Sequence, residues 1–304
     1  MCTSIAFKRK HFYFGRNLDL HYMFGSCVIT PQNYAFPFEK GKENQSIKPR
    51  YALIGTASVL DGYPLYAEAA NEKGLAVAGL NFPKNAYYPK TAQAGKRGVA
   101  PYELIPFLLR QCATLKDAER LLKAVDLVDA PFRKDVPLTP LHWHIADESG
   151  SIVLERTKQG FFVYKNPLHA LTNAPSFPYH AQNYPRYRHL SAKPTKDGLA
   201  LNALGLLGDY SSPSRFVKVA WLLERSPKEL RADEAVAHFF KVLAAVAPVK
   251  GSVKTNDGKE HFTQYACCIN CSLGVYYQQR YDELSPRVFA LRDFDISSAE
   301  LIVL

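Results

Sequence analysis

A cysteine occupies the second position of the chain, in the run Met1-Cys2-Thr3-Ser4. Removal of Met1 would place a thiol and a free α-amino group on one residue. A thiol attacks a carbonyl carbon efficiently only as the thiolate, and an α-amino group, with a reference pKa of about 7.7 to 8.0, can accept its proton near neutral pH. Cys2 is therefore a candidate nucleophile with its own base, although a cysteine can also stand here without a catalytic role.

Two charged residues follow in the segment Phe14-Gly15-Arg16-Asn17-Leu18-Asp19. If the chain turns near residues 8–10 and returns as a second strand, Arg16 and Asp19 lie close to Cys2. A nearby arginine favours the thiolate through its charge, and an aspartate can orient an α-ammonium. The alternative interpretation is an ordinary ion pair on a hairpin.

Metal binding is a weaker hypothesis for the other cysteines and for two histidines. The run Cys267-Cys268-Ile269-Asn270-Cys271 lacks a second Cys or His pair at the separation of a structural zinc site, and its surroundings are typical of a strand with buried cysteines. His142 and His144 flank Trp143 in a predicted strand without a third ligand, so a structural role is favoured. A papain-like site is not indicated, because no cysteine lies in a Cys-Gly-Ser-Cys-Trp-like setting.

Composition predicts a globular protein of one domain spanning residues 1–304, because 47% of the residues are hydrophobic and no Pro, Gly or Ser-rich linker divides the chain. The polar stretches 39–50 and 180–198 are interpreted as surface loops. No targeting segment or run of about 18 apolar residues is visible, so a cytoplasmic location without membrane insertion is expected. In that compartment the six cysteines are not expected to form a disulfide framework.

The formal net charge of +10 makes anionic partners worth considering. The basic residues are dispersed, and the densest stretch, at 40–50, mixes signs and lacks aromatic residues for base stacking. Nucleic-acid binding is therefore only a minor hypothesis, and a solvated basic loop is favoured.

Alternating β-branched and aromatic residues predict strands, and helical patterns lie between some of them. The predicted strands include 51–59, 74–81, 141–147, 151–157 and 273–280, and the predicted helices are 102–109, 115–125, 214–223 and 232–247. Thr114 to Asp117 has the form of a capping box, and Ser212-Pro213 that of a cap and first turn. These elements predict an α+β fold in which helices cover two packed sheets.

With these elements in place, the chain resembles the choloylglycine hydrolase family of N-terminal nucleophile hydrolases, which contains conjugated bile salt hydrolases and penicillin V acylases. The resemblance covers essentially the whole chain, because seven separated matches occur in the expected order. They are Met1-Cys2-Thr3, Phe14 to Asp19, Asn71 to Leu75 with Gly79 to Pro83, Leu141-His142-Trp143, Leu171-Thr172-Asn173, Ser212 to Phe216 and Thr263-Gln264-Tyr265.

The resemblance implies a four-layer αββα sandwich, a homotetramer and amide hydrolysis through a thioester, with neither a metal nor an organic cofactor. Cys2 matches the family's nucleophile, with its own α-amino group as the base. Asn81 matches a donor of the oxyanion hole, and Asn173 an asparagine near the terminal amine. The catalytic set implied by the resemblance is Cys2, Arg16, Asp19, Asn81, Asn173 and Arg215.

The segment Gly79-Leu80-Asn81-Phe82-Pro83 resembles the members that cleave bile salts, whereas penicillin V acylases tend to carry a tyrosine nearby. The resemblance therefore implies hydrolysis of glycine- or taurine-conjugated bile salts, with another acyl amide such as penicillin V as the alternative and a non-catalytic basic binding protein as the outside alternative. Residues matching the steroid-contacting wall are Leu18, Phe24, Leu60, Ala67, Phe132, Val136 and Leu141, for which core packing is the competing interpretation.

Overall fold

Two antiparallel β-sheets face each other at the centre of the molecule in a computed structural model that describes residues 1–37, 50–193, 196 and 203–304. Within these residues six strands form the first sheet, in the order β12-β1-β2-β13-β14-β15. Its strands are β1 Cys2–Lys8, β2 Phe12–Leu20, β12 Ala170–Leu171, β13 Phe262–Asn270, β14 Val275–Arg280 and β15 Arg287–Ala290. Both β1 and β2 are thus interior strands, which explains why they are buried over almost their whole length.

The second sheet has eight strands among the described residues, in the order β11-β10-β9-β6-β5-β4-β3-β16. Its strands are β3 Ser26–Thr30, β4 Leu53–Leu60, β5 Tyr63–Asn71, β6 Ala76–Asn81, β9 Leu141–Asp147, β10 Gly150–Thr157, β11 Gly160–Lys165 and β16 Ile302–Val303. A separate parallel pair consists of β7 Arg97–Val99 and β8 Val125–Leu127. Hydrogen bonds between side chains of the two large sheets, such as Ser4 Oγ to His144 Nδ1 at 3.0 Å, join their inner faces.

Helices cover the outer faces of both sheets. The helices are α1 Leu104–Gln111, α2 Leu115–Leu122, α3 Phe177–Asn183, α4 Ser212–Arg225 and α5 Ala232–Ala244. The helices α1 and α2 pack on the second sheet, whereas α4 and α5 pack on the first. The order of layers is αββα, as predicted. Within the described residues, no helix combines the length and the apolar character needed to cross a membrane.

Local sequence signals predicted the starts of α1, α2, α4 and α5 to within two residues. The predicted capping box is present, because the Thr114 side chain accepts from the Asp117 N–H and the Asp117 carboxylate accepts from the Thr114 N–H. The cap of α4 was predicted one residue too late: Ser211, not Ser212, accepts from the Ser214 N–H. The predicted helix 115–125 ends at Leu122, since the chain then enters β8.

The interpretation of residues 180–198 as a surface loop was wrong for their first part. The helix α3 extends through His180 to Asn183, and a 3-10 turn follows at Tyr184–Arg186. His180 and Tyr184 are both buried, and the His180 ring stacks on Phe216 with ring centroids 4.8 Å apart. A helical segment that buries an aromatic face against α4 looks polar in sequence because its other face is solvated. The other predicted loop, 39–50, lies outside the described residues except for Arg50.

Gly15 on β2 stands at a position where a side chain would collide with the backbone of β13. A Cβ atom at this position would lie 2.0 Å from the carbonyl oxygen of Cys267 and 3.0 Å from the ring of Phe239. We therefore expect Gly15→Ala to lower the free energy of unfolding by about 3 kcal/mol, because backbone must move to admit the methyl group. Urea unfolding followed by circular dichroism measures this.

Gly208→Ala is the matched control for this substitution. A Cβ atom there would meet nothing within 4 Å, so its free energy of unfolding should stay within about 0.5 kcal/mol of the wild type. Equal unfolding midpoints for the two variants would contradict the tight contact between β2 and β13.

Candidate active site

Cys2 is the first residue of β1 and lies opposite Leu18 of β2. Its side chain is buried on the same face of the strand as Ser4, which is the face toward the second sheet. Its backbone N–H donates to Asn173 Oδ1 at 2.7 Å. The register of the sheet places Asn173 beside Cys2. In the antiparallel pair of β12 and β1, Leu171 lies opposite Ser4, so the chain two residues later passes Cys2.

Arg16 lies on β2 opposite Ser4, with its side chain buried on the same inner face. Its Nη1 donates across to the second sheet, to the carbonyl oxygens of Gly79 at 2.6 Å and Ala67 at 3.0 Å. Its Nε lies 3.9 Å from Glu68 Oε2. The guanidinium is thus fixed between the sheets by contacts on two strands.

The positive charge of Arg16 changes the acidity of the thiol. Burial raises the pKa of Cys2, but the charges of Arg16 and of the amino terminus, together with a hydrogen bond from the backbone of Asn81, outweigh it, so the pKa lies below its ordinary value. Burial instead raises the pKa of the other cysteines, which are Cys27, Cys112, Cys267, Cys268 and Cys271. Cys2 is therefore the cysteine that forms a thiolate most readily.

Asp19 lies three residues beyond Arg16 on β2 and therefore on its opposite face. The Met1 α-ammonium donates to its backbone oxygen at 2.7 Å, and Asp19 Oδ1 accepts from Thr263 Oγ1 at 2.8 Å. Among the described residues, Oδ2 has no hydrogen-bond partner. Burial raises the pKa of Asp19 and outweighs the opposing charges of Arg215 and the amino terminus. The Cys2 side chain and Arg16 therefore share the inner face of the sheet. The Met1 α-ammonium lies next to Asp19.

Arg215 reaches the same place from the first turn of α4. Its Nη1 donates to the carbonyl oxygen of Cys2 and to Thr3 Oγ1, the latter at 2.7 Å, and its Nη2 donates to Asn173 Oδ1 at 2.8 Å. Asn173 Nδ2 in turn donates to the backbone oxygen of Asn81 at 2.7 Å. All six predicted site residues are therefore brought together around the start of β1.

Glu68 is a neighbour of the site that the sequence reasoning missed. It is fully buried on β5 and accepts hydrogen bonds from the hydroxyls of Tyr265 at 2.7 Å and Tyr276 at 2.8 Å, both on the first sheet. Burial raises the pKa of Glu68, although Arg16 and the two hydroxyls oppose this. The available signal was an isolated glutamate in the otherwise apolar run Ala67-Glu68-Ala69-Ala70.

The seven predicted wall residues fall into two groups. Three adjoin the catalytic set, since Leu18 is opposite Cys2, Leu141 is opposite Asn81 and the carbonyl of Ala67 binds Arg16. The other four are half-buried: Phe24 precedes β3, Leu60 ends β4, and Phe132 and Val136 lie in the segment between β8 and β9.

Tyr63 links two members of this outer group, because it pairs with Leu60 and its ring centroid lies 5.4 Å from that of Phe132. Two surface cavities of about 320 and 500 Å³ lie elsewhere, and none of the seven residues lines them.

Metal-ligand geometry is not found in the described part of the chain, where no group of three or more His, Cys, Asp or Glu residues could hold an ion. Cys267 and Cys268 are free, buried residues of β13. His142 and His144 are buried on β9 and hydrogen-bond to protein groups.

The chain matches the family described as linear amide C–N hydrolases, choloylglycine hydrolase family, over residues 2–304. The chain belongs to this family. A bile salt hydrolase/transferase of Lactiplantibacillus plantarum is 37% identical over 314 residues, covering 99% of this chain and 96% of that protein. A solved structure of a mutant conjugated bile acid hydrolase from Clostridium perfringens has a TM-score of 0.89 at 32% identity, covering 100% of this chain and 96% of that chain.

A penicillin V acylase from Agrobacterium tumefaciens shares the fold, with a TM-score of 0.77 at 20% identity over 99% of this chain and 90% of that chain. The predictions of the family, of the four-layer fold and of an enzyme that hydrolyses linear amides are thereby confirmed.

Replacement of Arg16 tests its effect on the thiol. Arg16→Gln removes the positive charge that lowers the pKa of Cys2, so the pKa should rise. Because a higher pKa leaves a smaller fraction of the thiol as thiolate at pH 7, we expect alkylation of Cys2 by iodoacetamide at pH 7 to slow severalfold. The rate is measured against pH by mass spectrometry of the Cys2 peptide.

Arg16→Lys is the matched control, since it retains the charge without the planar group. Its alkylation profile should lie closer to the wild type than that of Arg16→Gln. Identical profiles for Arg16→Gln and the wild type would show that this guanidinium does not set the acidity of the thiol.

Proposed function

We propose that this protein hydrolyses the amide bond of glycine- or taurine-conjugated bile salts and releases the bile acid and the amino acid. The observation that carries the chemistry is the buried Cys2 thiol, whose pKa is lowered beside Arg16 and whose own nitrogen is held by Asn173. The substrate class is supported by relatives named as bile salt and conjugated bile acid hydrolases at 34–37% identity over nearly the whole chain. The segment Gly79-Leu80-Asn81-Phe82-Pro83 supports the same choice.

Removal of Met1 is the first requirement of the proposed mechanism. The Cys2 nitrogen, now a peptide N–H bound to Asn173 Oδ1, then becomes an α-amine at the same place. The neutral amine takes the thiol proton, and the thiolate attacks the amide carbonyl carbon. The side chain of Asn81, a neutral donor, then stabilises the oxyanion of the tetrahedral intermediate.

Collapse of this intermediate breaks the C–N bond, and the α-ammonium gives its proton to the leaving amine. The acyl group remains on Cys2 as a thioester. The α-amine then takes a proton from water, whose oxygen attacks the thioester carbonyl carbon. Collapse of this second intermediate breaks the C–S bond and releases the acid, and the α-ammonium returns its proton to the thiolate. Every proton in this sequence passes through one nitrogen, so no histidine base is required.

Asp19, Asn173 and Arg215 orient that nitrogen in our proposal. Asn173 Oδ1 accepts its hydrogen bond, and Arg215 fixes both Asn173 and the Cys2 carbonyl. Asp19, with one carboxylate oxygen unpartnered among the described residues, offers an acceptor for an α-ammonium on the same side of β1. The charge of the ammonium is thereby stabilised while it holds the proton.

The apolar side of a bile salt would lie against the wall residues. Leu18, Ala67 and Leu141 adjoin the catalytic set and would contact the end of the steroid nearest the amide. Phe24, Leu60, Phe132 and Val136 would contact its distal rings. An extended apolar wall suits a flat, rigid ligand, because burial of its surface requires little ordering.

We further propose one domain, a cytoplasmic location and a homotetramer. The family match over residues 2–304 supports the single domain. The six free cysteines support a reducing compartment. The tetramer rests on the family resemblance alone.

Turnover by the wild type and by Cys2→Ala tests the proposed function. We expect glycocholate and taurocholate to be cleaved faster than penicillin V, and Cys2→Ala to lose all measurable turnover because no other side chain replaces the nucleophile. Released amino acid is measured for each substrate.

Cys268→Ala is the matched control. Cys268 is also buried in the first sheet, but its pKa is raised, so this variant should retain turnover. Wild-type rates in Cys2→Ala would overturn the mechanism. Faster cleavage of penicillin V than of the bile salts by the wild type would overturn the substrate class.

One alanine inserted between Met1 and Cys2 separates the thiol from its base. The thiol is retained, but its nitrogen stays a peptide nitrogen after Met1 is removed and cannot accept a proton. We expect turnover to fall by at least about 100-fold, the range of a general base. Intact mass verifies the extra residue. Unchanged turnover in that verified protein would show that the amine is not the base.

A further inference from the structure

We propose that a buried pair, His142 and Glu155, positions the two asparagines of the active site. The inference rests on the proposed function, since it assigns Asn81 and Asn173 to catalysis. Neither His142 nor Glu155 touches the reacting atoms, so both are positioning residues. They lie on the neighbouring strands β9 and β10, are fully buried, and are joined by a contact of 3.1 Å between His142 Nδ1 and Glu155 Oε1.

His142 holds the residue that precedes Asn173. Its Nε2 lies 2.7 Å from the backbone oxygen of Thr172. A carbonyl oxygen can only accept, so Nε2 carries a proton and donates. The second sheet therefore fixes the peptide group that joins Thr172 to Asn173. The side chain of Asn173 faces Cys2.

The same imidazole contacts the residue that follows Asn81. Its ring stacks on Phe82 with centroids 4.2 Å apart and planes inclined by 7°. The strand register also places His142 opposite Leu80, which precedes Asn81. One side chain therefore contacts the segments that carry both asparagines, and the Asn173 side chain joins these segments directly by its bond to the Asn81 oxygen.

Glu155 extends this support to α3. Its Oε1 also accepts from the N–H of Phe177 at 2.8 Å, at the first residue of the helix. From that helix His180 Nε2 donates to the backbone oxygen of Asn173 at 3.0 Å. The carbonyls of Thr172 and Asn173 are therefore each held by a histidine, and Glu155 connects the supports of both.

The donors and acceptors around this pair leave little freedom for substitution. The Phe177 N–H must donate, the Thr172 oxygen must accept, and one proton must lie between Nδ1 and Oε1. In Glu155→Gln a neutral imidazole can donate to Thr172 or to the new amide oxygen, not to both. If the amide rotates, its NH₂ group can donate to Nδ1. The same NH₂ group then faces the Phe177 N–H, which is also a donor, so that hydrogen bond is lost. A near-isosteric change therefore costs one buried hydrogen bond.

His144 provides a matched control on the same strand and the same face. It is equally buried and contacts Ser4 Oγ at 3.0 Å and Asn166 Nδ2 at 3.4 Å, but neither asparagine segment of the site. Its substitution perturbs the space between the sheets without removing the support of Asn81 and Asn173.

The test compares Glu155→Gln, His142→Gln and His144→Gln with the wild type, using steady-state hydrolysis of glycocholate. We expect kcat to fall 10- to 100-fold in the first two variants, because misplaced oxyanion and amine partners raise the barrier, with KM within about threefold. His144→Gln should keep kcat within about threefold. Alkylation of Cys2 by iodoacetamide should also stay within about threefold in all variants, since Arg16, whose charge lowers the pKa of the thiol more than the hydrogen bond from the Asn81 backbone does, is held by other contacts.

Two results would overturn the proposal. One is a kcat for Glu155→Gln and His142→Gln no lower than that of His144→Gln. The other is a fall in Cys2 alkylation by the same factor as kcat, which indicates general loss of structure and would be accompanied by a lower thermal midpoint. Wild-type turnover tests the proposed substrate separately. Penicillin V replaces glycocholate in the same comparison if it is the amide that the wild type cleaves, so the two failures are distinguishable.

Discussion

The rest of the site depends on the contacts of the buried Arg16 guanidinium. A charge between two sheets must be compensated, and here carbonyls of β5 and β6 accept from Nη1 and the carboxylate of Glu68 lies 3.9 Å from Nε, whereas Nη2 has no hydrogen-bond partner among the described residues. These contacts set the separation of the sheets next to Cys2. The same charge offsets the effect of burial on the thiol. The position of Arg16 thus affects both the packing of the sheets and the acidity of the nucleophile. This explains why the pKa of the buried Cys2 is lowered while burial raises the pKa of the five other cysteines.

The hairpin at the start of the chain was predictable because its contacts are local. Cys2, Arg16 and Asp19 belong to consecutive strands, so a single turn near residues 8–10 brings them together, as the pairing of Cys2 with Leu18 shows. The capping box at Thr114 was predictable for the same reason, because it depends on residues three apart. The layer order followed from strand and helix patterns, together with the family resemblance.

Contacts between distant segments could not be predicted from such patterns. Asn173 and Arg215 entered the expected site only through the resemblance, since register between β12 and β1 and the approach of α4 place them there. The role of Glu68 was missed because its partners Tyr265 and Tyr276 lie on the other sheet. His142 and Glu155 lie on adjacent strands, but the groups they hold, the Thr172 carbonyl and the Phe177 N–H, belong to later segments that only the folded chain brings to them. The start of α3 was missed because its polar residues hid the aromatic face that packs on α4.

The interior position of β1 also orders events during synthesis. Its partner β12 is more than 160 residues later in the chain, and β13, which flanks β2, comes after residue 261. At ribosomal rates of about 5–20 residues per second, β1 waits on the order of ten seconds before its second neighbour emerges. The bond between Met1 and Cys2 is unprotected by the completed sheet throughout that interval, whereas in the finished fold the Met1 nitrogen is bound to Asp19. The removal of Met1 that the proposed function requires therefore meets less folded structure before β12 emerges than after the sheet is complete.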